Sequence, residues 1–363
     1  MEASSELRRL LRLLRVAVSA PLQLFMTTTS EYTGRSLNNK VCVLTGGSSG
    51  IGLAVAEELT KRGCDVILLV RDRKKSASVV AQLAQLNNLF LDQPHAEIRA
   101  VECDLSNLVS VRMAVLEVRE HTKGRKIDFL CCTAGVFLQP SKAGSQARAS
   151  SSEMHYGINH IGHFALLLGL LDVLRASSTR VVMLSSDLLV LEDDCSPRGP
   201  PALAYFAKTG GGSSGSGSGT PRPHPADSLA ALWRSLRAFA ASKLASLGVA
   251  LELRRRFPEL GVVSVHPGHL NSHTRHAAPY TGVLGAFWGL LKSLLLVSDE
   301  RAGQCVLHCL LSESVPSGAF WQTALGPIPQ TSWFLPPCVL SAVWRRNLWD
   351  ESLRIVRPAE GGL

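Results

Sequence analysis

The feature that most constrains this chain is Thr45-Gly46-Gly47-Ser48-Ser49-Gly50-Ile51-Gly52, set directly behind the apolar run VCVL and directly before the helical pattern LAVAEELTKRG. Each glycine in such a corner has a purpose. Gly46 permits a tight turn, Gly50 lets the backbone approach a diphosphate, and Gly52 lets helix and strand pack closely, while free N–H groups at the helix start face the phosphates. At a strand-to-helix junction this pattern points to a bound dinucleotide, with Thr45, Ser48, Ser49 and Ile51 completing the cradle.

From Lys40 onward, short β-branched runs alternate with longer helical patterns, which is how a doubly wound parallel sheet reads. Seven strands are expected, at Lys40 to Thr45, Asp65 to Val70, Glu97 to Val101, Ile127 to Cys132, Arg180 to Ser185, Val262 to Val265 and Ala319 to Trp321. The central ones are apolar at both parities, as burial between two helix layers requires. The chain of 363 residues is long enough for one such domain and too short for two with linkers. The expectation is therefore a three-layer α/β Rossmann fold with a seven-stranded parallel sheet, a single domain over residues 40–357 with a tail at 358–363.

Three segments stand apart from that alternation. In residues 1–39, Arg8, Arg9, Arg12 and Arg15 interleave with leucines to form a basic amphipathic helix that Pro21 ends. We read it as a surface-lying membrane anchor, consistent with an intracellular, membrane-associated protein of the endoplasmic reticulum; a mitochondrial presequence and a solvated extension remain alternatives. Residues 208–224 are a Gly/Ser/Pro tract that cannot support a core and reads as a flexible surface insertion. Val283 to Val297 is almost wholly apolar but short for a span, and reads either as a helix over a substrate mouth or as an ordinary core helix.

The net charge of +9 is spread along the chain without a dense basic block, which argues against nucleic acid. Nine cysteines, several inside strand-like runs, read as buried thiols of a reducing compartment. After the second strand comes Arg71, where an acid would hold the 2′-hydroxyl of NAD. A cation there suits the 2′-phosphate of NADP(H).

Taken in order, T-G-x-x-x-G-I-G, V-R-D at 70–72, C-D-L at 103–105, A-G at 134–135, N-H-I-G-H-F at 159–164, V-V-M-L-S-S at 181–186, S-K at 242–243 and H-P-G at 266–268 resemble the short-chain dehydrogenase/reductases. The similarity is to their retinol-dehydrogenase-like branch and runs from about Lys40 to about Val356. It implies that Asp104 meets the adenine with Leu105 also in the cofactor site, that Ala134 and Gly135 line the ribose, and that Pro267 and Gly268 turn under the nicotinamide. It also implies that Ser272 stands where a threonine contacts the cofactor and that the long helix through Lys243 pairs in a homodimer.

In that family a tyrosine hydroxyl exchanges a proton with the substrate oxygen while hydride moves to or from nicotinamide, on a retinoid, steroid or fatty aldehyde in this branch. Carried over by position, Asn159 matches the asparagine of a water relay, Ser186 the serine that holds the oxygen, and Lys243 the lysine that assists the tyrosine and contacts the cofactor. Four residues before Lys243 stands Phe239, which has no proton to give. Either an unorthodox donor replaces the tyrosine, or the protein binds NADP(H) in a regulatory or scaffolding role as an impaired enzyme. Cys132-Thr133 replaces the family's two asparagines and puts the bracing of the corner in question. Tyr205 and Tyr156 are poor substitutes for the missing hydroxyl. His266, His269, His273 and His276 suggest zinc only weakly, and no metal is expected.

Overall fold

The computed structural model describes residue 14 and residues 35–74, 76–90, 96–137, 154–192, 225–268, 296–322, 326–328 and 335–357 of the chain. The amphipathic extension apart from Leu14, the 208–224 tract, Val283 to Leu295, Ser272, Tyr205 and the histidines at 269, 273 and 276 lie outside the described residues.

The strands are β1 (Val41–Thr45), β2 (Asp65–Val70), β3 (Ile98–Glu102), β4 (Phe129–Cys132), β5 (Arg180–Leu184), β6 (Gly261–His266), β7 (Phe320–Gln322) and β8 (Gly326–Ile328). They form one sheet in the order β3-β2-β1-β4-β5-β6-β7-β8. The expectation of seven parallel strands needs correcting: β8 pairs antiparallel with β7, opposing Pro327 to Trp321. Its three residues, GPI, carry turn chemistry rather than a β-branched run, and Gly326 sits at φ 69°. A proline is tolerated there because an edge strand need not donate to a further ladder.

Helices follow the strands as α1 (Gly50–Thr60), α2 (Ala77–Phe90), α3 (Leu108–His121), α4 (His163–Ala176), α5 (Pro225–Arg256), α6 (Asp299–Leu311), α7 (Pro337–Leu340) and α8 (Ala342–Val356), with a π-helical turn at Gly157–Gly162 leading into α4. Parity along the strands divides the core in two. Val41, Val43, Ile67, Leu69, Leu130, Val181 and Val262 face α3, α4, α5 and α8, whereas Cys42, Leu44, Val66, Leu68, Cys131, Val182 and Val263 face α1, α2 and α6. Both parities are apolar because both faces are covered. Met154–Ser177 is long and apolar enough to cross a membrane, but most of it is buried in this core. The eight described cysteines are all buried.

In this strand order the winding reverses between β1 and β4, so their carboxyl ends diverge into a crevice. Every loop expected to carry chemistry leaves the sheet at that edge.

Candidate functional site

A cleft of about 990 Å³ opens along the carboxyl ends of the strands, and the sequence motifs line it in spatial order. Gly46, Ser48, Ser49, Gly50, Ile51 and Gly52 form one wall; Arg71 follows β2, Asp104 and Leu105 follow β3, Ala134 and Gly135 follow β4. Ser185 and Ser186 follow β5, Pro267 and Gly268 follow β6, and Phe239 and Lys243 reach in from α5.

The corner is as tight as the sequence requires. A Cβ on Gly52 would lie 2.3 Å from the carbonyl oxygen of Gly46, and one on Gly46, at φ 72°, would lie 2.9 Å from Cα of Ala134. Ser49 occupies the N-cap of α1 without bonding its side chain to the helix, and no acid stands in the first turn. The turn's N–H groups are thus open to an anion. Arg71 is exposed at the rim and has no hydrogen-bond or ion-pair partner among the described residues, whereas Arg73 is paired with Glu117 at 3.2 Å. These residues fit a phosphorylated dinucleotide.

The Thr45 side chain is engaged behind the cleft. It is buried behind the cleft, where its hydroxyl accepts from the Ala134 N–H at 3.1 Å and meets Nε2 of His163 at 2.9 Å. His163 Nδ1 in turn donates to the Asn159 carbonyl at 3.2 Å, which leaves Nε2 to accept the Thr45 proton. Burial lowers the His163 pKa to about 4, so the ring is neutral in this chain of bonds. The doubt raised by Cys132-Thr133 is resolved by the Thr133 hydroxyl, which donates to the Thr45 carbonyl and braces the corner directly.

Asp104 spends one carboxylate oxygen on its own turn, accepting from the Ser106 N–H at 2.9 Å and the Ser106 hydroxyl at 2.7 Å. The N-cap of α3 is Asn107.

At the other end of the cleft the family's reaction positions converge. Lys243 is buried and donates to the Leu184 carbonyl at 3.1 Å; its Nζ lies 5.6 Å from the Phe239 ring centroid. Burial lowers its pKa to about 8, partly offset by the neighbouring Cys132. The Asn159 side chain braces the site: Oδ1 accepts from the Val136 N–H at 2.8 Å, and Nδ2 donates to the Val136 carbonyl and the Ser242 hydroxyl, each at 3.1 Å. Ser186 caps the 3-10 turn Asp187–Leu191 by accepting from the Leu188 N–H at 3.2 Å. Phe239 is seated edge-on against Phe137 and His155, with centroids 5.4 and 6.1 Å away. Tyr156 is fully buried and does not line the cleft.

Some residues of the site escape sequence reasoning. Val136, Phe137, Met154, Ile158, Leu188 and Leu236 give the reaction end an apolar mouth. Asp187, buried beside Ser186, places Oδ2 3.3 Å from Nε2 of His266, which also lines the cleft. Asp299 enters from α6. Among the described residues no group of three or more His, Cys, Asp or Glu is placed to hold a metal.

The short chain dehydrogenase family model matches residues 40–190. Human retinol dehydrogenase 12 is 30% identical over 290 residues, covering 78% of this chain and 77% of the relative, and human retinol dehydrogenase 13 is 29% identical over 335 residues, covering 88% and 86%. Among solved structures, the Pseudomonas aeruginosa RhlG/NADP active-site complex superposes with a TM-score of 0.54 at 19% identity, covering 79% of this chain and 95% of that one. At that identity the likeness speaks for the fold.

Proposed function

Because the chain belongs to the short-chain dehydrogenase/reductase family, on its retinol-dehydrogenase-like branch, we propose that its cleft holds NADP(H) and that its oxidoreductase chemistry is impaired by Phe239. The observation that carries this reading is the coexistence of an open diphosphate corner and a phenyl ring in one cleft. Gly46 to Gly52 would take the diphosphate, Arg71 the 2′-phosphate, and Asp104, Leu105, Ala134 and Gly135 the adenosine half. Pro267, Gly268 and Lys243 would meet the nicotinamide half. When bound, the reduced dinucleotide supplies a hydride for a carbonyl carbon.

The protein's own share is to hold the carbonyl and move a proton. Ser186 would orient the substrate oxygen and the apolar mouth would take a lipophilic aldehyde, ketone or alcohol, such as a retinoid, steroid or fatty aldehyde. Phe239 keeps the shape of the family's tyrosine and removes its proton, a loss of about 100-fold to 10,000-fold. Lys243, left without a phenol to polarise, sits buried against the ring. The consequence is a cofactor-binding protein with a regulatory or scaffolding role. Titration of the purified protein with NADPH and NADH tests the binding half: tighter NADPH binding is expected, and a preference for NADH would contradict the role given to Arg71.

A second reading rests on the buried His266–Asp187 pair beside Ser186. A histidine positioned by Asp187 could donate to the substrate oxygen in place of the tyrosine, leaving a slow reductase. Its signature would be residual carbonyl reduction that His266→Asn abolishes, with NADPH binding retained. The basic amphipathic segment supports residence on an intracellular membrane such as that of the endoplasmic reticulum, and the long α5 supports a homodimer; vesicle flotation and sedimentation test these in turn.

A further inference from the structure

We infer that Asp299 sets how tightly this cleft holds a diphosphate, its carboxylate opposing the charge that the glycine corner attracts. The inference deepens the cofactor reading above and rests on it.

Helix α6 packs so closely on α1 that a Cβ on Gly303 would lie 2.9 Å from Cβ of Ala54. This contact carries the first turn of α6 to the mouth of the corner. A Cβ placed on Gly50 would lie 3.9 Å from both Cγ and Oδ2 of Asp299, and the residue lines the cleft together with Ser48 and Ser49. Asp299 is not needed as a cap, because Ser298 caps α6 by accepting from the Arg301 N–H at 3.3 Å. Its Oδ1 is buried without a hydrogen-bond partner, and no ion pair is formed by the carboxylate among the described residues.

A buried carboxylate oxygen without a donor is costly and calls for an explanation in its surroundings. The explanation here is the field of the helix starts. Residues Gly50 and Asp299 stand at the first turns of α1 and α6, whose dipoles favour negative charge. The field that would welcome a diphosphate therefore already contains an anion. Arg71 and Lys243 also line the cleft, and neither forms an ion pair with Asp299 among the described residues. An incoming diphosphate meets a like charge at close range in a partly desolvated corner, where repulsion of this kind weakens binding by about tenfold.

The diphosphate is common to both nicotinamide dinucleotides, so the penalty falls on NADH and NADPH alike. It leaves the 2′-phosphate contact untouched. Asp299 thereby makes retention of the dinucleotide depend more heavily on Arg71.

The test is a set of dissociation constants from calorimetric titration of the full chain and Asp299→Asn, with NADPH, NADH and adenosine 2′-phosphate, which carries no diphosphate. Asp299→Asn is expected to bind both dinucleotides about tenfold more tightly and to change adenosine 2′-phosphate less than twofold. Asp299→Ser, which keeps a good residue at a helix start, serves should the amide fail to fold. Unchanged or weaker NADPH binding in a folded, uncharged variant overturns the inference while leaving the cofactor reading intact. Failure of parent and variant alike to bind either dinucleotide overturns both.

Discussion

Lys243 lines the cleft beside Phe239. Its ammonium is buried beside a hydrocarbon ring, and burial lowers its pKa to about 8 against an ordinary 10.5. The unfolded chain therefore binds more protons than the folded one between about pH 8 and 10.5, so this residue's contribution to stability rises across that window. Below pH 8 the buried charge costs up to about 3 kcal/mol. Lys243→Met is expected to be more stable than the parent at pH 7, by about 1–3 kcal/mol in urea unfolding, with the advantage fading toward pH 10. Equal stability at pH 7 would mean that the ammonium is solvated. Arg71 makes a simpler prediction: Arg71→Ala weakens NADPH binding by tenfold or more and leaves NADH nearly unchanged, because a charge-assisted contact to a phosphate is lost.

At the scale of elements, the π-helical turn Gly157–Gly162 fastens three parts of the site. Its Asn159 ties the loop after β4 to α5, its Gly162 touches the loop after β3, and its His160 donates from Nε2 to the Ser352 hydroxyl of α8 at 2.8 Å, since that hydroxyl donates onward to the Leu348 carbonyl. A Cβ on Gly162 would lie 2.3 Å from the Leu105 carbonyl oxygen, so Gly162→Ala is expected to cost about 1–3 kcal/mol of stability and to loosen adenosine-half binding. Burial lowers the pKa of His160 to about 3 and of His163 to about 4. Both rings bind protons more readily in the unfolded chain, so the stability they support is present above pH 6.5 and lost as the pH falls toward those values. At pH 5 each accounts for a loss of about 2 kcal/mol relative to pH 7, and His163→Gln is expected to show a shallower fall than the parent.

For the molecule as a whole, what was legible in the sequence is what local pattern determines. The seven parallel strands were visible because burial on both faces demands continuous apolar runs, as in VCVL, DVILLV and RVVML, and the glycine corner because a backbone at positive φ leaves few alternatives. Strand β8 was hidden by Pro327, which reads as a turn until β7 lies beside it. The bonds of the Thr45 hydroxyl to the Ala134 N–H and to His163 could not be read from its place in the motif, because each partner comes from a distant element. Asp299 and the Asp187 partner of His266 were invisible because each depends on an approach between elements distant in sequence. The position of Phe239 was readable from its interval to Lys243, and the structure puts both in the one cleft.

A cofactor that binds only the folded state adds stability by mass action, about 2.7 kcal/mol at a hundredfold excess over its dissociation constant, so NADPH should raise the unfolding temperature by several degrees. Occupancy and turnover are separate properties in this account. The most direct measurement is therefore kcat for reduction of a lipophilic aldehyde by NADPH-saturated protein, parent against Phe239→Tyr. Restoring the hydroxyl is expected to raise kcat by about 100-fold or more with little change in NADPH affinity. A parent enzyme that turns over at ordinary dehydrogenase rates, with Phe239→Tyr adding little, would contradict the account.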